Sequence, residues 1–161
     1  MKRAQEASSV FDEGIRFECT RCGQCCTGAP GAIVAASDEE LATIARDRKM
    51  DVEAFRQAYV RRTDGGLSLK EKENGDCVFW DQTGCSIYEV RPTQCRTYPF
   101  WFKNLRSSGA WAAARRACAG IGRGRLYEKD EILGLLHQDM NRLGERILGA
   151  TQSGSPRQSP P

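Results

Sequence analysis

The apolar positions of this chain fall into short runs broken by turn-forming residues, and a sustained helical period develops only towards its C-terminal end. From residue 130 to about 148, Ile132, Leu133, Leu135, Leu136, Met140, Leu143 and Ile147 predict a long amphipathic helix. Nearer the start, Ser37-Asp-Glu-Glu40 has capping-box spacing and opens a helix whose apolar stripe is Leu41, Ile44 and Ala45. A second helix is predicted from Asp51, with Val52, Phe55 and Tyr59 on one face and Arg61 and Arg62 near its end, where cations suit the helix dipole. The short apolar run Ala32-Ile-Val-Ala35 precedes both helices, and Phe17 is the first residue expected to pack.

Alternation replaces this period in the middle of the chain. Leu67-Ser-Leu-Lys-Glu-Lys-Glu73 predicts an edge strand, closed by the turn signal Asn74-Gly75. Asp76-Cys-Val-Phe-Trp80 and Cys85-Ser-Ile-Tyr88 predict the arms of a hairpin that turns at Asp81-Gln-Thr-Gly84. Arg91-Pro92-Thr93 starts a short helix, which Tyr98-Pro99-Phe100-Trp101 stops. A basic, alanine-rich stretch around Trp111 then leads to the glycine-rich turn Cys118-Ala-Gly120-Ile-Gly122-Arg-Gly124. The mixture predicts a small α+β fold in one domain over 17–149, with a flexible lead-in over 1–16 and a disordered Ser/Pro/Gln-rich tail over 150–161.

Composition changes this picture in one respect. With 161 residues, 40% of them apolar, a core can form but stays modest, so a bound metal would add needed stability. No run has signal-peptide length, and none approaches the ~20 apolar residues that span a bilayer, so a cytoplasmic protein is expected. In that reducing compartment eight cysteines point to metal ligation in preference to disulfides.

Four of the eight occupy Cys19-Thr-Arg-Cys22-Gly-Gln-Cys25-Cys26, and the others are Cys77, Cys85, Cys95 and Cys118. Cys19, Cys22 and Cys25 can face inward from one tight loop, with Gly23 supplying the turn. Cys25 and Cys26 are neighbours whose Cβ atoms point apart in most backbones, so they are expected to serve different sites. Eight thiolates are twice the number that closes a tetrahedral site. The spacing Cys19, Cys22, Cys25 matches the start of a bacterial [4Fe–4S] loop, although neither Cys95 nor Cys118 has the proline that follows the remote ligand there. Zinc usually takes paired knuckles, and the later cysteines form none. An iron–sulfur cluster is therefore favoured for the first loop, with zinc or a second set of cluster ligands left for the remainder.

Charge is distributed unevenly. Between Arg91 and Arg125 stand Arg91, Arg96, Lys103, Arg106, Arg115, Arg116, Arg123 and Arg125, with no acidic residue. A nucleic-acid interface would use them on phosphates, with Tyr98, Trp101 and Trp111 stacking on bases. Charge compensation is the favoured account, with Arg91, Arg96 and Arg115 offsetting thiolates, because eight thiolates around two divalent ions turn the formal +3 into −1. Arginine outnumbers lysine throughout, 18 to 6, so compositional bias contributes to the run. The single histidine, His137, lies in the C-terminal helix pattern and is expected at the surface, and no catalytic triad or two-histidine zinc motif can be assembled. No nucleotide or methyl-donor motif is present, so the reading leans away from an enzyme. Gly120-x-Gly122-x-Gly124 lacks the strand and helix of a phosphate loop.

Taken together, Phe17-x-Cys19-x-x-Cys22-Gly-x-Cys25-Cys26, Cys77, Gly84-Cys85-x-Ile-Tyr88-x-x-Arg91-Pro92-x-x-Cys95-Arg96-x-Tyr98-Pro99 and Cys118-x-Gly120-Ile-Gly122-x-Gly124 resemble the YkgJ-type cysteine-cluster family, the CxxCxxCC zinc- or iron-chelating domain. The resemblance covers residues 17–124. One departure is Val78, where the family often has proline after the cysteine. The resemblance implies a bound zinc or iron–sulfur centre with all eight cysteines matched, and Arg91, Arg96 and Tyr98 are expected directly behind these ligands. An accessory or electron-transfer role beside a protein partner is the expectation drawn from such a centre. A related cysteine domain in flagellin lysine methylases offers the alternative of a component of a protein-modifying enzyme.

Overall fold

The structure is a computed structural model that describes residues 10–28 and 33–152, with the backbone alone described for 143 and 145–152. Its elements are short helices and small antiparallel sheets, an α+β fold. Strand β1 (Ile15–Phe17) pairs with β7 (Arg125–Tyr127), Ile15 opposite Tyr127 and Phe17 opposite Arg125. Around this clasp forms one apolar core, which holds Ile15, Phe17, Phe100, Leu105, Trp111, Ala114, Cys118 and Ile132. The lead-in expected to stay flexible through residue 16 thus enters the structure earlier. Ile15 is 6% exposed, and Val10 and Phe11 pack against the same core.

A second core belongs to α1 (Asp38–Asp47), α2 (Val52–Tyr59) and a three-stranded sheet ordered β2 (Val34–Ala35), β4 (Gly66–Leu69), β3 (Val60–Thr63). The expected capping box of α1 is present: the Ser37 hydroxyl accepts from the Glu40 N–H at 3.2 Å, and the Glu40 carboxylate accepts from the Ser37 N–H at 2.9 Å. Leu41 and Ile44 are fully buried against Phe55, Leu69, Phe79 and Ile87. Two expectations are corrected here. Arg61 and Arg62 lie in β3 and do not end α2, because β-branched Val60 starts a hairpin that turns through Asp64-Gly65. Strand β4 is the central strand, not an edge, because β2 pairs along its other side.

The expected hairpin forms but is short, with β5 (Trp80–Asp81) paired to β6 (Gly84–Cys85). A single 3-10 turn, Tyr88–Val90, leads to α3 (Thr93–Arg96), which carries Cys95. Helix α4 (Phe102–Leu105) follows, and then α5 (Ser108–Ala117), where the Ser107 hydroxyl caps the basic, alanine-rich stretch. Helix α6 (Lys129–Gln152) runs beyond the predicted residue 148 and docks through Asp139, 2% exposed, which accepts from the Phe102 N–H and pairs with Arg142 at 2.6 Å. Residues 153–161 of the predicted tail lie outside the described residues, as do residues 29–32. Among the described residues, no helix is long and apolar enough to cross a membrane.

Candidate metal centre

The chain after β1 turns sharply through the cysteine loop. The Cys26 and Thr27 N–H groups both donate to the Gly23 carbonyl, at 2.7 and 2.8 Å. Gly23 has φ +79°, and a Cβ there would sit 2.0 Å from the Trp80 ring, so both the turn and the close approach require glycine. Two backbone bonds moor the loop. The Cys77 N–H donates to the Cys26 carbonyl at 2.7 Å, and the Glu18 N–H donates to the Gly120 carbonyl at 3.2 Å. The first brings Cys77 and the β5–β6 hairpin to the loop, and the second brings the Cys118–Gly124 turn.

One cavity of about 450 Å³ results, and all eight cysteines line it. It lies between the two cores: Cys118 belongs to the first, while Cys77 and Cys85 pack against the second. Cys19, Cys22 and Cys25 are exposed, Cys118 is buried, and all eight are free thiols. Among the described residues, no three His, Cys, Asp or Glu side chains close on a point near enough to share one ion, so the thiols are spread around the wall. The expectation for Cys25 and Cys26 meets a different geometry. Their sulfurs stand on the same side, 3.8 Å apart.

The hydrogen bond from Cys26 draws the Cys25 thiol down to about 7, against burial and with help from Arg91, while Cys26 is held protonated by donating that bond and by its own burial. Burial pushes the Cys77, Cys85 and Cys95 thiols up, and for Cys95 the neighbouring charges of Cys25, Cys77 and Cys85 push the same way. A cation removes both penalties at once, since it replaces the protons and neutralises the mutual repulsion. A sulfur-only donor set around a half-buried cavity suits zinc or iron in thiolate coordination.

Arg91, Arg96 and Tyr98 all line the cavity. The Arg91 guanidinium stacks 3.8 Å from the Tyr88 ring centroid and donates to the Tyr88 carbonyl. Arg96 donates to the Arg91 carbonyl and the Thr93 hydroxyl, both at 2.8 Å, and pairs with Glu40 at 3.7 Å, so it orders the start of α3. Burial raises the Tyr98 hydroxyl well above its ordinary value, and the adjacent Cys118 adds to the effect. Arg115 does not line the cavity; it lies on the exposed side of α5. Lining residues that the sequence did not assign to the site include Arg21, Trp80 and Tyr88. Arg21 caps the second face of Tyr88 at 3.9 Å, and its position inside the Cys19–Cys22 interval was the available signal. Glu40 was also missed as a link to the site. Its second oxygen accepts from the Thr93 N–H at 2.6 Å, tying α1 to the helix that carries Cys95.

A family model described as "CxxCxxCC: putative zinc- or iron-chelating domain" matches residues 18–119. The chain belongs to this family, a class of cysteine-rich metal-binding domains. It is similar to the uncharacterized protein MJ0661 of Methanocaldococcus jannaschii, 33% identical over 102 residues that make up 62% of this chain and 53% of that protein. The matched stretch therefore spans about half the length of that relative. No solved structure matches it at a significant level.

Proposed function

We propose that the eight cysteines hold a thiolate-ligated iron–sulfur centre and that the domain acts as an accessory or electron-transfer module for a protein partner. The convergence of all eight on one cavity of about 450 Å³ carries this reading. A lone zinc ion bonded at about 2.3 Å draws its thiolates into contact and needs no void of that size. A core of iron and sulfide needs room between its cysteines. When bound, such a centre supplies one-electron chemistry. The chain's own residues supply the rest: Cys19, Cys22, Cys25, Cys26, Cys77, Cys85, Cys95 and Cys118 as ligands, Tyr98 beside Cys118, and Arg91 and Arg21 as compensating charge around Tyr88.

The exposure of Cys19, Cys22 and Cys25 favours a role in which something outside reaches the centre. It supports electron exchange with a partner, and also the second reading, a component of a protein-modifying enzyme in which substrate meets the cluster. An open coordination position would mark the latter. The test is anaerobic purification with iron, zinc and acid-labile sulfide analysis beside an absorption spectrum. Iron and sulfide in comparable amounts with visible charge-transfer bands are expected, and stoichiometric zinc without sulfide would overturn the cluster.

A further inference from the structure

The cations between Arg91 and Arg125 divide into two sets in space. Arg91, Arg96 and Arg125 line the cysteine cavity, whereas Lys103, Arg106, Arg115, Arg116 and Arg123 do not. Compensation of thiolate charge can apply to the first set only, and within it Arg96 and Arg125 also pair with Glu40 and Glu131. The ion pairs of the described residues use Arg21, Arg56, Arg61, Arg96, Arg125, Lys129 and Arg142. Lys103, Arg106, Arg115 and Arg116 are exposed and have no carboxylate partner among those residues. Helix α5 carries no acidic residue at all.

On one side of α5 the side chains make a recess. Ser108, Trp111, Ala112, Arg115 and Arg116 recur at helical spacing and, with Val10, line a groove of about 490 Å³. Of its lining, Ser108 and Ala112 are small and exposed, so another backbone can approach them closely, and Arg115 and Arg116 have no carboxylate partner among the described residues. Like charges gathered without counter-charges repel one another, and surfaces of this kind are complemented by a partner of opposite sign. Helix α5 ends directly on Cys118, which lines the cysteine cavity. The helix that lines the groove therefore leads directly into a wall residue of the candidate metal centre.

Aromatic geometry separates a protein occupant from a nucleic acid. Stacking of unpaired bases needs open ring faces next to the cations. Trp111 is 9% exposed within the first core, Tyr98 lines the cysteine cavity, and the Trp101 ring carries Lys103 at 4.5 Å and the Tyr98 ring at 4.9 Å. None of them offers a free face beside Arg115 and Arg116. We propose that the α5 groove docks an acidic segment, with a small apolar anchor, of the protein that exchanges electrons or metal with the cysteine site; this rests on the function proposed above.

The metal-loaded protein can be titrated, by fluorescence anisotropy, into a labelled peptide of alternating glutamate and leucine and, separately, a labelled thymidine oligonucleotide. Peptide binding that weakens as salt rises is expected, with a loss of about tenfold or more in the pair Arg115→Glu/Arg116→Glu. The same charge change on α1, Arg46→Glu/Arg48→Glu, should leave affinity within about twofold, since that helix bears its own acidic residues. Metal content and thermal melt should match the parent in both. If the reversed pair melts early, Arg115→Gln/Arg116→Gln replaces it, with a smaller loss expected. Undetectable peptide binding, equal losses in the two pairs, or tighter binding of the oligonucleotide that depends on Arg115 and Arg116 would each overturn the proposal. Peptide binding through these arginines by protein without metal would support the groove while removing the exchange of electrons or metal.

Discussion

Single side chains around the cysteines carry distinct duties. Gly23→Ala places a methyl group within the Trp80 ring and strains a positive φ, so a loss of at least about 2 kcal/mol is expected in denaturant unfolding, together with weaker metal retention. Arg96→Gln removes the donors that order the start of α3. Metal retention should fall on the order of 10–100-fold in competition with a chromophoric chelator. Acidity acts through the thiols themselves. Cys77, Cys85 and Cys95 have raised values and stay protonated near neutrality in the metal-free protein, so loading must expel protons. Apparent affinity should rise with pH and fall on acidification, with proton release measurable in weakly buffered solution.

Between elements, Glu40 has a larger effect than its place in a capping box suggests. Burial alone would raise its carboxyl, but bonds from Ser37 and Thr93 and the charge of Arg96 outweigh that and hold it below the ordinary glutamate range. A carboxyl so lowered stabilises the fold fully above its unfolded value, and the contribution is lost as pH falls through the folded one. Glu40→Gln should cost about 1–2 kcal/mol near neutrality and flatten that part of the acid-unfolding curve. The capping box itself was legible because its signal lies within four residues. The Glu40–Thr93 bond was not, since it joins residues far apart in sequence. The same distinction separates β5–β6, announced by its local turn, from β1–β7, whose three-residue strands pair without any local turn. At the site, cysteine spacing revealed the candidate ligands. It could not reveal that Arg115 points away from them or that Tyr88 lies between two guanidiniums.

The molecule as a whole is two cores joined across a cavity of thiols. Metal stripped by a chelator leaves that junction with raised, mutually repelling groups, and structural metal sites contribute on the order of 10 kcal/mol to folding. Calorimetry should show one cooperative transition in the loaded protein and a lower, broader or divided one after chelation. An unchanged melt would count against metal as the tie between the cores. The β1–β7 clasp also bears on biosynthesis. Arg16 of β1 bonds to Gly124, 108 residues later. At about 5–20 residues per second, roughly 5–20 s separate these two points in translation. For that interval the nascent chain displays the thiols of its first loop before their enclosing partners exist. Enclosure of the metal thus waits for the second strand of the clasp, and until then the thiols of the first loop are the ones open to oxidants.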